Sequence, residues 1–533
     1  MIMNIRTSHL DVTDWFKSRR PIDFSFFRCP PMMYILLTST AFCAYLGALA
    51  FYRIFFHPLH KYPGPVLAAI TDWYEVYYNV VKGGELIAEI KRLHALYGPV
   101  IRIGPNKLHF SYSQAYHDIY TYGATLTKEP GFYYGIIAHC PQASVGFCDP
   151  VEARTRRSLL LPLFSRRAVL ALEYTIQKKI DQLLNILKEH YNSPSSTLSM
   201  AMAFRALTLD IITSYCFAES TNALEDPYFR DPLLLAIQKA IGGIMLQRHF
   251  PFLTSIANHT PPWLVLWTMP AIKIFLDTKA RFERQVDKLI HDPSALLTVE
   301  HETIYHHLLE PKDRQQRPSR RSLVDEANTL IGAGSDTVGN ACTIGTFYAL
   351  KYPSIRKKIT DELCEVWPDV DRAVSYVTLE NLPYLTAFIK ETLRFSLGVV
   401  HPLPRVVGSA TPEIGGLKIP PGTTVEMSTL FLHMNPEAFP DPETFDPDRW
   451  LGEVTSKMGL DFAPFSKGPR ICLGMNLAWC ELYLIFGNIF RRLNLSLSLT
   501  EDTIEDFGKD HLDYFVPHWK KEYRVFVQEV NDS

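Results

Sequence analysis

The chain has 533 residues, a formal charge of −2 and 21% charged residues, so it lacks the basic footprint of a nucleic-acid-binding protein. A hydrophobic share of 47% with 37 prolines and 27 glycines belongs to a globular chain rather than a disordered one, with enough length for a large core in one domain or several. Nine cysteines, an odd number with no C-x-x-C pair, exclude a zinc or disulfide framework and suit a reducing compartment.

In chain order, residues 1–31 read as a non-catalytic N-terminal segment. Residues 32–52 follow as a transmembrane anchor, because Met32 to Phe51 (MMYILLTSTAFCAYLGALAF) is uncharged and about 20 apolar residues match the thickness of a bilayer. Ala48-Leu49-Ala50 also resembles a signal-peptide cleavage site, but a preceding segment with Asp11, Asp14 and Asp23 is a poor n-region. A buried core helix is the other alternative; against it, HPLHKYPGP (57–65), a stiff spacer within a hinge over 53–66, follows directly. Lys17, Arg19, Arg20 and Arg28 precede the span while Arg53 and Lys61 follow it, so positive-inside counting places the N-terminus in the cytosol.

Residues 67–533 show no further linker. GPVIRIGPNKLHFS (98–111) alternates across a Gly-Pro-Asn turn and predicts a hairpin, and the chain from about 150 to 310 is mostly helical in period, as in YTIQKKIDQLLNILKEHY (174–191). The basic run LEPKDRQQRPSRR (309–321) reads as a solvated connector. Ser322 with Asp325 predicts the start of a helix running towards Leu350, roughly 40 Å long. A further helix is expected over 381–396, then short strands around 404–430, then a deeply buried helix from Met475 to Leu493, apolar on nearly every face. The fold class is mainly α with small β-sheets.

Several familiar motifs fail on spacing. His301-Glu302 with His306 resembles a zinc helix, but Tyr305 stands where the metalloprotease pattern needs histidine. Gly332, Gly334 and Gly339 lie inside a helix and not after a strand, which excludes a dinucleotide fingerprint; neither a P-loop nor G-x-S-x-G is present.

The stretch FSKGPRICLG (465–474) is different. Cys472 precedes the buried helix, where unpaired N–H groups and the helix dipole favour a thiolate able to ligate a metal centre. Gly468 and Gly474 permit a tight turn and close approach of a flat ligand, Pro469 fixes the turn, and Arg470 could hold a carboxylate. A buried thiol in a turn is the bland alternative for an isolated cysteine.

F-x-x-G-x-R-x-C-x-G, from Phe465 through Gly474, is the haem-binding signature of the cytochrome P450 family, which this chain resembles. Glu391-Thr-Leu-Arg394 matches the family's E-x-x-R. The segment Phe445-Asp-Pro-Asp-Arg449-Trp450 matches the one whose arginine completes a structural triad with that pair. Ala333-Gly334-Ser335-Asp336-Thr337 matches A-G-x-[DE]-T in the long helix. The resemblance covers about residues 58–530 and implies a single haem-thiolate P450 domain, with haem b ligated by Cys472 and its propionates held by Arg405, Arg470 and Arg157.

It further implies that Gly334 makes room for dioxygen while Asp336 and Thr337 relay protons. One departure stands out: Ala153 occupies the usual histidine position of the H-x-x-x-R-R segment, so that propionate contact is either lost or supplied by Arg156 or a water. By family position the substrate pocket draws on the loop from Phe132 to Phe147, on Ile331, and on Val399, Val400 and Leu403, an apolar lining that suits a small lipophilic substrate.

The same resemblance implies an endoplasmic-reticulum anchor with a cytosolic catalytic domain, against the charge count above, and electrons from NADPH through cytochrome P450 reductase. FRALTLDIITSYCFAES (204–220), PLPRVV and DYFVP (513–517) resemble fungal biosynthetic-cluster members, including trichodiene oxygenase-like enzymes acting on terpenoids. The expected reaction is hydroxylation or epoxidation of a terpenoid-type specialised metabolite with O2. A reductase-independent isomerase or dehydratase, a polyketide or alkaloid oxidase, and a non-catalytic haem-binding or membrane scaffold are the alternatives.

Overall fold

In a computed structural model of the chain, the described residues are 31–529, apart from 122–125, 194–195, 269–271, 411–412, 499–506 and 509. The charged residues of the N-terminal 1–30 used for the orientation count lie outside them. The chain divides into two compact units, residues 1–60 and 61–533. The first contains α1 (Pro31–Phe55), in which Met32–Phe55 has a mean hydropathy of 1.7 and is exposed through its hydrophobic stretch, long and apolar enough for a single membrane anchor.

The second unit is predominantly helical. Its site-bearing helices are α2 (Pro130–Ile136), α3 (Pro150–Leu160), α4 (Glu173–Tyr191), α5 (Met200–Phe217), α6 (Pro232–Ile241), α7 (Ile244–His249), α8 (Arg320–Lys351), α9 (Pro383–Ser396) and α10 (Met475–Arg492). In α4 the residues Ile176, Ile180, Leu183, Leu184 and Leu187 recur at helical spacing and are all buried, so the amphipathic period predicted from the sequence faces the core. Helix α5 is also long and apolar enough to pass for a membrane span, with a hydropathy of 1.2, but 89% of it is buried: it is the central core helix, packed along α8.

Small sheets flank the helices. Strands β1 (Val100–Gly104) and β2 (Lys107–Phe110) pair antiparallel, with Val100 opposite Phe110, as the hairpin pattern predicts. With β3 (Leu126–Lys128), β5 (Arg405–Val407) and β6 (Thr424–Glu426) they form a sheet in the order β1-β2-β6-β5-β3. A second sheet joins β4 (Thr197–Ser199), β10 (Arg524–Glu529) and β7 (Leu493–Leu497); β8 (His511–Tyr514) and β9 (Val516–Trp519) form a hairpin. This sheet arrangement delivers Arg405 and Lys128 as Cα partners on adjacent strands.

The long helix starts one turn before the expected point. Ser319, not Ser322, is the N-cap, its hydroxyl accepting the Ser322 N–H, because that side chain satisfies one of the orphan donors of the first turn. Ser322 and Asp325 are turned to another partner: Ser322 donates to the Gln142 carbonyl at 2.7 Å and Asp325 accepts the Gln142 N–H at 3.0 Å. The helix has 32 residues, about 48 Å at 1.5 Å each, and crosses the domain. Helix α10 is buried continuously from Cys480 to Arg491.

The close approach of α8 to α9 and α10 depends on Gly345. A Cβ there would stand 2.5 Å from the Phe486 ring and 2.8 Å from the Thr392 hydroxyl, both fully buried. Gly345→Ala is therefore expected to lower the thermal midpoint of the holoenzyme. Overpacking costs about 1–3 kcal/mol, against a helix-propensity gain of at most ~1 kcal/mol, and calorimetry or thermal circular dichroism measures the difference.

Candidate functional site

The chain segment that carries Cys472 is anchored through a carboxylate with no exposed surface. Glu391 on α9 accepts Arg394 Nε at 2.9 Å and Arg394 Nη2 at 2.7 Å, Arg449 Nε at 3.1 Å, the Asp446 N–H at 2.9 Å and the Trp450 indole N–H at 2.9 Å. Arg394, equally buried, donates onward to the carbonyls of His433 and Pro442, both at 2.7 Å. The three residues that the sequence groups as a triad are thus physically one network, and it ties α9 to the segment that leads towards the cysteine loop.

In the loop, Gly468 has φ +70°, and a Cβ on it would come within 2.3 Å of the Tyr120 carbonyl, so both the backbone angle and the space require glycine. Gly474 has an ordinary φ of −83° and a Cβ there would point into open space, so its glycine answers to no contact within the protein. The Cys472 N–H donates to the Phe465 carbonyl at 2.9 Å, closing the turn, and the Phe465 ring lies 6.0 Å from Trp479 on α10.

Cys472 itself is surface-accessible, yet desolvation pushes its thiol above the usual range, against the Gly474 N–H and the Arg157 guanidinium, which act to lower it. Its sulfur is thus reachable although the protein crowds around it. The Gly474 N–H at the start of α10 and Arg157 favour the ionised thiol, burial opposes them, and a coordinating metal would deprotonate it.

Three arginines expected around the cofactor do converge here. Arg157 on α3 donates to the Ile471 carbonyl at 2.8 Å, Arg470 to the Phe147 carbonyl at 2.5 Å, and Arg405 on β5 to the Tyr133 hydroxyl at 2.7 Å and the Pro404 carbonyl at 3.0 Å. A fourth cation, Lys128 on β3, had no motif to announce it; its ammonium donates to the Val145 carbonyl at 2.5 Å and sits 4.0 Å from the centre of the Tyr133 ring. Each is held by neutral acceptors, and none pairs with a carboxylate among the described residues. Burial, then Arg405 and Arg470, push the Lys128 ammonium well below its usual range; burial, then Arg405, lowers Arg470. Buried cations without counter-ions are costly, so this donor set fits a flat group bearing two carboxylates, with a metal facing the thiol.

At Ala153 the structure bears on one of the expected alternatives. Ala153 is buried, and Arg156, the proposed substitute, points elsewhere: it donates to Ser322 at 2.8 Å and to Glu326 at 3.2 Å, with its guanidinium 5.4 Å from the centre of the Phe147 ring.

On α8 the paired acid and alcohol leave the helix about 100° apart and have separate partners. Asp336 accepts Arg205 Nε of α5 at 2.6 Å and Gln238 of α6 at 3.4 Å, while Thr337 donates to the Ala333 carbonyl at 2.9 Å and keeps a partly accessible hydroxyl. At Gly334 a Cβ would meet Ile212 of α5 at 2.5 Å, so its small size serves the packing of α8 on α5.

The expected pocket residues separate into groups. Phe132 and Leu403 join one apolar cluster with Ile136, Ile137, Ile244 and Phe515, and the Phe132 ring stacks on His401 at 5.1 Å, while His401 pairs with Asp513 at 2.6 Å. Val400 packs instead with Ile101, Ile103 and Leu397 beneath the first sheet, its partly exposed neighbour Val399 accepts a hydrogen bond from Thr429, Ile331 belongs to the main core, and Phe147 is held against α3 through Arg156. Phe515 falls within the DYFVP run, whereas His401 immediately precedes PLPRVV and carries no motif of its own. His306, set aside as a zinc ligand, accepts the Thr303 N–H at 2.9 Å in the capping box of its own short helix.

Glu391→Gln leaves two arginines facing a weakened partner, and folded holoenzyme is expected to lose about 3–5 kcal/mol of stability. Lys358→Ala, which removes the exposed Lys358–Asp448 pair at 2.7 Å, is expected to cost no more than about 1 kcal/mol in the same thermal assay.

Comparison with known proteins agrees with this geometry. The family model described as cytochrome P450 matches residues 71–515. A tryptophan 6-hydroxylase from Fusarium equiseti is 36% identical over 489 residues, covering 90% of this chain and 94% of that protein. A cytochrome P450 monooxygenase from Penicillium terrestre is 32% identical across 94% of this chain and 99% of its own, and an N-acetyltryptophan 6-hydroxylase from Emericella nidulans is 32% identical across 95% and 98%. Curated relatives of this kind are fungal P450 monooxygenases, and the family implies a haem-iron cofactor. With a family model over most of its length, and a cysteine loop ringed by unneutralised cations, the chain belongs to the cytochrome P450 family.

Proposed function

We propose that this chain is a membrane-anchored haem-thiolate monooxygenase of specialised metabolism, which inserts oxygen from O2 into a small lipophilic substrate. The observation that carries the reading is the accessible Cys472 thiol beside buried Arg405 and half-buried Arg157 and Arg470, none of which has a carboxylate partner among the described residues. Cys472 would hold the haem iron, while Arg157, Arg405 and Arg470 would hold its propionates and Gly474 would leave its plane clear. Bound there, a thiolate-ligated haem supplies the means of activating dioxygen.

The chain's own residues do the rest. The Arg157 guanidinium fixes the carbonyl next to Cys472 and favours its ionised form. The Thr337 hydroxyl, anchored by donation to Ala333, offers its lone pairs to a proton donor on the accessible side of α8. Asp336 contributes as a positioning acid, clamped by Arg205, and not as the direct partner of Thr337. Electrons would come from NADPH through cytochrome P450 reductase, with α1 in the endoplasmic-reticulum membrane, the segment over 53–66 as a hinge and the catalytic domain in the cytosol.

The sequence resemblance favours a terpenoid. A second reading comes from the relatives: two of the similar proteins are named for 6-hydroxylation of tryptophan and N-acetyltryptophan. The deciding measurement is reconstitution with reductase and NADPH, with binding spectra and products followed for terpene hydrocarbons, tryptophan and N-acetyltryptophan. Turnover without NADPH would identify an isomerase or dehydratase and overturn the monooxygenase reading.

Cys472→Ala is expected to abolish the thiolate-type carbon monoxide spectrum of the reduced protein; a retained spectrum would remove Cys472 as ligand. For Thr337→Ala, substrate binding should be unchanged while hydrogen peroxide released per NADPH consumed rises several-fold, roughly to the extent that positioned proton transfer contributes to turnover. Unchanged coupling would take Thr337 out of proton delivery.

A further inference from the structure

We infer that Thr208 on α5 is a positioning residue for the Thr337 hydroxyl, pinning the rotation of α8 about its axis through the Ser335 carbonyl. The inference rests on the Thr337 reading above and adds a residue from a different helix. Thr208 is fully buried, and three carbonyls lie within reach of its hydroxyl: Phe204 at 2.9 Å and Arg205 at 3.3 Å on its own helix, and Ser335 of α8 at 2.5 Å. A hydroxyl has one proton, and two oxygens stand 2.5 Å apart only with a proton between them, so the bond goes to Ser335. Threonine inside a helix ordinarily bonds back to its own turn, as Thr213 of α5 does to Leu209 at 2.8 Å and Thr343 of α8 to Gly339 at 2.7 Å. Thr208 instead directs its proton across the helix interface.

The contact belongs to a stripe. Arg205, Thr208 and Ile212 recur at three- and four-residue spacing on one face of α5, and they meet Asp336, Ser335 and Gly334 of α8 in that order. Gly339 lets the helices close here, because a Cβ on it would stand 3.2 Å from the Thr208 oxygen and 3.3 Å from Arg205 Cα. Three consecutive residues of α8 are thus held from one side, while the next, Thr337, bonds the Ala333 carbonyl of its own helix. Neighbouring side chains leave a helix 100° apart, so the setting of residues 334–336 against α5 fixes where Thr337 aims, on the side where Gly332 and Ala333 are exposed. Packing alone does not call for a hydroxyl at 208, since valine would fill the same space; what the hydroxyl adds is the tie to Ser335.

The test uses the full-length holoenzyme with carbon monoxide as the probe, and reads the C–O stretching band of the reduced complex by infrared spectroscopy. That band responds to the groups facing the bound gas and needs neither substrate nor turnover. Thr337→Val should shift it through loss of the hydroxyl. Thr208→Val should shift it in the same direction, Thr208→Ser should restore the wild-type position, and Thr208→Val combined with Thr337→Val should move it no further than Thr337→Val alone, because residues acting through one another do not add. Thr208→Ala removes the same bond and covers the case in which the valine variant fails to fold. A wild-type band in folded Thr208→Val or Thr208→Ala, beside a shifted band in Thr337→Val, would overturn the Thr208 assignment alone, even if the thermal midpoint fell. Full additivity of the two shifts would do the same. An unmoved band in Thr337→Val would instead overturn the Thr337 reading, and absence of the thiolate-type spectrum from the wild-type protein the haem reading beneath it.

Discussion

The catalytic unit depends on one buried carboxylate. Glu391 gathers donors from Arg394, Arg449, Trp450 and the backbone at Asp446, and Arg394 passes the connection on to carbonyls at His433 and Pro442. A charge this deep persists only if every lone pair is occupied, and here the occupants come from segments far apart in the chain. The irregular stretch before Cys472 has little secondary structure of its own to hold it. Its position beside α9 follows from satisfying Glu391, and the cysteine loop follows from that position.

The functional site shows the opposite electrostatic arrangement. Glu391 is saturated with partners, whereas Lys128, Arg157, Arg405 and Arg470 are held by carbonyls and a phenol and left without counter-ions. One cluster is neutralised within the chain; the other has no carboxylate partner among the described residues. The same contrast separates the glycines. Gly345 and Gly334 are small because Phe486 and Ile212 occupy the space, while Gly474 faces open space. Structural requirement and ligand requirement can therefore be told apart by asking what a missing atom would touch.

Much of the site was legible because its residues lie close together in sequence. Cys472 with Gly468 and Arg470 occupies a single loop, and the three-residue spacing of Glu391 and Arg394 places both on one helix face. The hairpin at 98–111 and the amphipathic face of α4 were equally readable, since their periods are local. What the sequence left undetermined has a common reason. Asp336 and Thr337 look like one unit in sequence, but a 100° step between neighbours sends one to Arg205 and leaves the other accessible. Val400 and Leu403 are three residues apart, yet pack in different clusters. Arg156 looked available until Glu326 and Ser322 arrived from another helix.

The sequence by itself determined the helical character, the apolar N-terminal helix, the thiol loop and the identity of the charged partners, because hydrophobic period and turn chemistry act over a few residues. Only the tertiary structure decided which charges are neutralised. Lys128 and Arg405 are 277 positions apart and meet through a strand register; Arg205 reaches Asp336 through the packing of two helices. Electrostatic consequence depends on distance and burial, which local sequence does not encode, and so the motif revealed the ligand-bearing loop while the fold revealed the cation beside it.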